Sequence, residues 1–558
     1  MRIGLIAEGG YPYVSGDARL WCDRLVRGLG QHEFDIYALS RSERQEDEGW
    51  VPLPPQVSRV RTASLWTAED DGAGYGRRAR RRFEEHYGAL AAVLCTGGDR
   101  GADGASEPPS AIQADRFGNA LYGLAELARD EGGLAGALRS ETAVRTLERA
   151  CRARDAMRTA REARVPDLLA VAAHLERALR PLSLDWYEDD GLGAADLSHA
   201  TSGGTAALTG LLARHFCDVP LLLTEYGVRL RTQYLAGTGA PPAVRALLAG
   251  FHGALAAEAY RRAAVITPGN AHARRWQERC GADRSKLRTV YPGMDASRFA
   301  EVGEASSCAD PDTLVWVGRV EPAKDLVSLL HAFAEVRKEE PKTRLRIVGA
   351  PAGAEGEAYL GHCRALAAQL FPDEADGPHT VGENPVSFEE IGGPQLPSLA
   401  DAYASGAVTV LSSVVEGFPV GLVEAMLCGR ATVSTDVGAV VEVIGGTGLV
   451  VPPRNPRALA EACVTLLRDP ERRERLGAAA RARALELFTV EQNVAAFHGI
   501  YLDVVAGTPV RRVVLDDAGA PLPFGVPAEA HVPGHWTNKR RHAGPPEATT
   551  APLPEGAR

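Results

Sequence analysis

The chain has 558 residues, 45% hydrophobic and 24% charged, which is enough apolar material for two or three separate cores and excludes a small disulfide-stapled scaffold. Its 59 glycines and 36 prolines follow no every-third-residue period, so a collagen-like fibre is excluded as well. A net charge of −10 supplies no overall positive field, and no nucleic-acid partner is expected.

Nine cysteines are scattered singly, without a C-x-x-C pair, which argues against a disulfide framework or zinc ribbon and points to a reducing, cytoplasmic setting. The opening MRIGLIAEGG has too few apolar residues before Glu8 for a signal-peptide core. No run approaches the roughly 18 apolar residues of a membrane span, so no integral segment is expected and only peripheral membrane association stays open.

In chain order, the apolar run Arg2 to Ala7 ends in Gly9 and Gly10, a helix-like stretch covers Leu20 to Leu29, and a second apolar run covers Phe34 to Ser40. That is β-loop-α-β, the opening of a parallel sheet. Between about residues 66 and 183 the pattern turns Ala/Arg/Glu-rich and helical, broken by a polar Gly-rich loop at Thr96 to Ser110. It reads as a helical insertion, most simply a solvated cover. Strands follow at Leu221 to Gly227 and Ala263 to Gly269, with an Ala-rich helix between them. A second series has strands at Leu314 to Arg319, Arg344 to Gly349, Ala407 to Ser413 and Ala431 to Asp436. The expected class is α/β, with doubly wound domains over 1–305 and 306–489. From Gly507 the last 52 residues hold nine of the prolines and lose all periodicity, so residues 507–558 are expected to be disordered.

Chemistry concentrates in LSSVVEGFPVGLVEAMLCG, residues 411–429. A strand ends at Ser413, a loop carries Glu416 and Gly417, and a helix starts near Val420 with Glu424 in its first turns. The helix start offers unpaired N–H groups and partial positive charge, a seat for a diphosphate. The two carboxylates would accept hydrogen bonds from hydroxyls on either side of that anion. An acidic first turn stabilising its own helix explains the same pattern. Upstream, WVGRVEPAKDL places Arg319 just past one strand and Lys324 at the start of the next helix. Cations at the carboxyl edge of such a sheet would neutralise a diphosphate and stabilise it as a leaving group.

Gly318-Arg319 with Lys324, then Glu416-Gly417-Phe418 with Glu424-Ala425, resemble the C-terminal half of family-4 retaining glycosyltransferases of GT-B fold. The resemblance covers about residues 308 to 485. It implies a hexosyltransferase in which Arg319 and Lys324 hold the donor diphosphate, Glu416 the hydroxyls of the transferred sugar, and Glu424 the ribose. Gly318 is implied in donor binding too, and Gly417 and Phe418 in backbone contacts to the sugar phosphate. It also implies that the helix around Val490 to Val505 crosses back to the first domain.

In the first half, EGGYPYVSG, LSHATSGGTAALTG and LLLTEYGVRLR are similar to the Pel-type exopolysaccharide glycosyltransferase subgroup. Gly10, Gly16, His199, Tyr226 and Arg231 are thereby the acceptor-side or cleft candidates. Glycine loops let backbone approach a ligand, yet they also make ordinary tight turns. A lone His near a helix start serves equally as a cap or a packed side chain. The subgroup's usual T-E-H-G and R-E become Tyr226 for the His and Thr232 for the Glu, and Asp17 replaces a loop glycine. A tyrosine is a poor general base at neutral pH.

The resemblance implies same-face transfer of a hexose from a nucleotide sugar, a UDP-sugar by the family's habit, to a hydroxyl of a saccharide or other small acceptor. The departing phosphate oxygen takes the proton, and no cofactor or metal is expected because two cations and a helix terminus carry the charge. The alternative, motivated by Tyr226 and Thr232, is a catalytically lapsed nucleotide-sugar-binding partner of a polysaccharide-making assembly. An epimerase would need an acid/base pair that the sequence does not supply.

Overall fold

The computed structural model describes residues 1–16, 18–67, 74–96, 111–236, 239–305, 310–372, 384–393 and 396–508. Asp17, most of the Thr96 to Ser110 loop and nearly all of the Pro-rich tail lie outside the described residues.

Short, continuously buried apolar runs separated by helices assemble into two parallel sheets. The first contains β1 (Arg2–Glu8), β2 (Glu33–Ser40), β3 (Val57–Ser64), β4 (Leu197–Ala200), β5 (Leu221–Glu225) and β6 (Val265–Pro268), in the order β3-β2-β1-β4-β5-β6. The second contains β7 (Thr313–Val317), β8 (Arg344–Val348), β9 (Val386–Glu389), β10 (Val408–Leu411), β11 (Ala431–Thr435) and β12 (Leu449–Val451), in the order β12-β11-β10-β7-β8-β9. Both orders reverse once, between β1 and β4 and between β7 and β10. Those reversals are the switch points at which such sheets open toward ligands.

Four strands escape the sequence pattern for stated reasons. β3 is an edge strand whose Arg59 and Arg61 reach out to Asp190 and interrupt the apolar run. β4 has only four residues, two of them the buried polar Ser198 and His199. β9 and β12 are short outer strands of the second sheet.

Between β3 and β4 the chain is helical, as its composition indicates, but its inner face is more than a solvated cover. Phe83, Tyr87, Leu90 and Leu94 of the helix Arg77–Thr96 are buried in one core with Phe117, Leu121 and Phe251. The same core takes in Ile6, Tyr37 and Leu39 of the first sheet.

The other face of that sheet is covered by the helix Val490–Gly507, which buries Phe497, Ile500, Tyr501 and Val504 against Ile3, Leu5, Phe34 and Ile36. Each such side chain contributes about 1.5–3 kcal/mol of burial. The chain therefore passes between the halves twice. The two crossings pair with each other, Met294 N–H donating to Phe488 O at 2.8 Å and Val490 N–H to Met294 O at 3.0 Å. Among the described residues no helix is long and apolar enough to cross a membrane.

Candidate active site

At the β7/β10 switch point the strand ends leave a cleft of about 520 Å³ lined by Gly318, Arg319, Lys324, Glu416, Phe418 and Glu424, with Tyr403 and Ser413 beside them. Gly417 lies in the same loop, where an added Cβ would meet nothing within 4 Å. The residues singled out from the second half of the sequence thus converge on one edge of one sheet.

Each is placed by local backbone chemistry. Lys324 ends a short turn, Pro322–Lys324, and the next residue, Asp325, caps the helix Leu326–Glu339 by accepting from Ser328 N–H at 3.2 Å. Ser412 fixes the turn by donating to Lys324 O at 2.7 Å. Lys324 Nζ then reaches Glu416 Oε1 at 2.5 Å, and Ser413 Oγ donates to the same oxygen at 2.7 Å. Both charged side chains are mostly buried, 19% and 10% exposed. Arg319, by contrast, is exposed and has no ion-pair partner among the described residues.

The helix Val420–Leu427 opens into the cleft with Pro419 at its cap position and no side-chain cap bond; Val420 N–H donates to Phe418 O at 3.0 Å and Leu422 N–H to Pro419 O at 3.1 Å, and the partial positive charge of the helix start faces the lined space. Glu424, one turn in, accepts from Tyr403 O–H at 2.9 Å. The same phenol oxygen lies 3.0 Å from Gly421 O, and its single proton serves one acceptor at a time. Burial raises the Glu424 carboxyl above its ordinary value, against the opposing pull of Tyr403, Arg298 and Arg24. Arg24 belongs to the helix Arg19–Gly28 of the first half, so that half contributes charge to this cleft.

Two glycines are required. At Gly349 a Cβ would stand 1.7 Å from Gly318 O, so only a bare α-carbon lets the β8 end pass the β7 end. Gly438, at φ +59°, would put a Cβ 2.4 Å from Glu416 O, and Ala439 N–H donates to Gly417 O at 3.1 Å. The Glu416 loop therefore rests on the backbone that follows β11.

The first-half candidates do not gather in this way. His199 is fully buried in β4, its Nδ1 2.8 Å from Tyr501 Oη and its Nε2 2.7 Å from Thr224 Oγ1. Burial pushes its pKa down to about 3, and it is a packed, neutral side chain rather than a cleft residue. Tyr226 is likewise turned inward. Its ring meets Trp21 edge-on at 5.2 Å, its hydroxyl accepts from Asn493 Nδ2 at 3.2 Å, and burial pushes its pKa up. It anchors the returning helix Val490–Gly507.

Gly16 is exposed, at φ +122°, and a Cβ there would overlap Gly9 O at 1.9 Å; its lack of a side chain closes the loop on itself. Gly10 is buried in that loop and its carbonyl accepts from Tyr13 N–H at 3.0 Å. Arg231 is half-buried in the helix Arg229–Ala236, without an ion pair among the described residues. The arginine that turns toward the β1/β4 switch point is Arg229, two positions earlier.

There Arg229 Nη2 lies 3.7 Å from Glu8 Oε1, Arg41 Nη2 lies 2.9 Å from the same atom, and Thr205 Oγ1 donates to Glu8 Oε2. Glu8 ends β1 and its carboxylate sits at the start of the helix Thr205–Cys217. Its burial disfavours charge, but Arg229 and Arg41 outweigh that and hold the carboxyl below its usual range. Glu8, Arg41, Arg229, Tyr403 and Gly438 were not singled out from the sequence. Glu8 and Arg229 carried a signal, since both stand in quoted segments just past strand ends.

Two doubly wound sheets, one with a polar cleft at its switch point, define a protein of the GT-B class. Across 90% of this chain and 99% of the other, sucrose-phosphate synthase from Thermosynechococcus elongatus superposes with a TM-score of 0.52 at 17% identity. Anabaena Alr3699/HepE, in a complex with UDP, superposes over 89% of this chain and 99% of its own with a TM-score of 0.51 at 14% identity.

The chain belongs to the family described as Domain of unknown function (DUF3492), whose model matches residues 1–285, and it carries a group 1 glycosyltransferase domain, the model described as Glycosyl transferases group 1 matching residues 311–469. A D-inositol 3-phosphate glycosyltransferase of Kineococcus radiotolerans is 34% identical over 225 residues, 37% of this chain and 49% of that protein. One of the same name from Streptomyces bingchenggensis is 31% identical over 240 residues, 41% and 50% respectively. The chain spans about half the length of the curated relatives it matches.

Proposed function

We propose that the protein is a retaining, metal-independent glycosyltransferase of family 4, moving a hexose from a nucleoside diphosphate sugar to a hydroxyl of a saccharide or other small acceptor. The observation that carries the reading is the cleft that brings exposed Arg319, the Lys324–Glu416 pair and the opening of the helix Val420–Leu427 to one strand edge. The glycosyltransferase match over residues 311–469 supports it. Uridine is the base to try first, because UDP is the nucleotide held by the Anabaena fold neighbour.

In this reading Lys324 turns its ammonium from Glu416 to the β-phosphate, Arg319 adds a second cation, and the helix terminus a third source of positive potential. Glu416, released from Lys324, accepts hydrogen bonds from the sugar hydroxyls, and Glu424 from the ribose. The bond from the anomeric carbon to phosphate breaks and the bond to the acceptor oxygen forms on the same face. The acceptor's proton passes to the departing phosphate oxygen, so no protein base is assigned. That fits a first half in which His199 is packed away from solvent and the half-buried Tyr226 is held by Asn493.

The test is a mass-spectrometric screen of nucleotide sugars for free-nucleotide release, in EDTA, beside Glu416→Gln and Lys324→Ala. Release by the wild type with a 10²–10³-fold loss in both variants is expected, the usual cost of one lost stabilising group. Equal release by all three proteins contradicts the assigned site.

A further inference from the structure

We propose that Glu442 is a positioning residue that ties the seating of the first half to the backbone carrying Glu416. The inference rests on the cleft being a donor site and adds a residue outside it.

Glu442 lies on the short helix Val440–Ile444 of the second half, and both of its carboxylate oxygens are engaged by groups from elsewhere. Oε2 accepts from Ala271 N–H at 2.7 Å, and Oε1 accepts from Tyr291 O–H at 2.9 Å. Ala271 is the first residue of the helix Ala271–Arg279, whose cap Asn270 takes the N–H of Ala273 at 2.7 Å. The carboxylate thus completes the helix start that Asn270 leaves open, where negative charge is favoured. Tyr291 stands in the first of the two crossings between the halves.

Two routes lead from Glu442 back to the cleft. Along the backbone, Gly438 and Ala439 precede its helix and abut Glu416 and Gly417, with Ala439 N–H donating to Gly417 O at 3.1 Å and no room for a Cβ at Gly438. Through side chains, the Tyr291 ring lies 6.4 Å from Phe418, which lines the cleft, and 5.0 Å edge-on from Phe488 of the second crossing. Arg483 fixes the far end of the short helix by donating to Glu442 O at 2.8 Å and Val443 O at 2.9 Å. A segment held at both ends cannot let Glu442 shift without moving the Glu416 loop or breaking those bonds. The donor loop therefore senses where the helix Ala271–Arg279 stands, and closure of the halves on an acceptor is transmitted to Glu416.

Hydrogen exchange on the full chain, with steady-state nucleotide release in parallel, tests this. Glu442→Ala should speed exchange both at residues 270–274 and at 414–419, and lower kcat about tenfold while donor KM stays within twofold, the size expected for losing hydrogen bonds to a charged group. Glu442→Gln should recover most of both effects, its amide oxygen accepting from Ala271 N–H and its NH₂ donating to the Tyr291 oxygen. Tyr291→Phe, a milder change, should move both readouts the same way by less. Faster exchange confined to 270–274, or an unchanged kcat in Glu442→Ala, overturns the proposal. If the wild type releases no nucleotide from any donor, the transferase reading fails by itself, and exchange at 414–419 still decides the coupling.

Discussion

The two sheets share one strand order, yet their switch points are finished in opposite ways. At β7/β10 a cation and a carboxylate pair in the wall of an open cleft, with a further arginine exposed beside them. At β1/β4 a single buried carboxylate, Glu8, is seated on a helix start and held by Arg41, Arg229 and Thr205. Topology provides the edge, and side-chain size and charge decide whether the edge receives a ligand or is closed by the chain itself.

Changes to the first half break this contrast if they touch nucleotide binding. The largest expected effect is on stability, from His199→Ala, which opens a cavity beside Trp21 and Phe497 and leaves Tyr501 without its hydrogen-bond partner. Denaturant unfolding should show a loss of about 3–4 kcal/mol, with nucleotide affinity of the folded protein unchanged. Glu8→Gln should cost about 2 kcal/mol in the same measurement, because Arg41 and Arg229 lose the opposite charge they face but remain partly solvated.

The pH response separates the halves next. His199 and His252 are both held down to about 3 by burial, so each binds its proton less readily folded than unfolded. Their contribution to stability is present above the unfolded pKa near 6.5 and is lost as pH falls toward 3, at up to about 1.4 kcal/mol per unit for each. Melting temperature between pH 7 and 4 should fall less steeply in His199→Phe. Glu424 has the opposite sign. Its raised pKa favours the folded state at low pH, and that contribution is lost as pH rises through the folded value. Nucleotide binding that uses the Glu424 carboxylate should therefore weaken as pH falls through the same range. The smallest effect is expected for Arg231→Ala, within about 0.5 kcal/mol in stability.

How much of this was legible in the sequence follows the same division. The second half announced itself because Arg319, Lys324 and Glu416 closely follow strand ends that read as apolar runs, and Glu424 lies on the helix that comes next. In the first half the residue types were visible but their directions were not. His199 lies within a strand rather than after it, and a strand residue turns to the core or away by a shift of one position. Tyr226 is drawn inward by Asn493, which is 267 residues away in the chain. Glu442 was invisible for a similar reason: its partners, Ala271 and Tyr291, belong to the first half and the crossing. The helical insertion was legible as helix from its composition. Its buried face was not, since the apolar partners come from the first sheet.

The central claim is that the second sheet's open edge, and not the first sheet's closed one, receives the nucleotide. Calorimetric titration of UDP into the wild type, Lys324→Ala and Glu8→Gln tests it most directly. The account predicts binding by the wild type, at least a tenfold weaker affinity in Lys324→Ala, and wild-type affinity in folded Glu8→Gln. Undiminished binding in Lys324→Ala, or a loss in Glu8→Gln that matches it, would contradict the account.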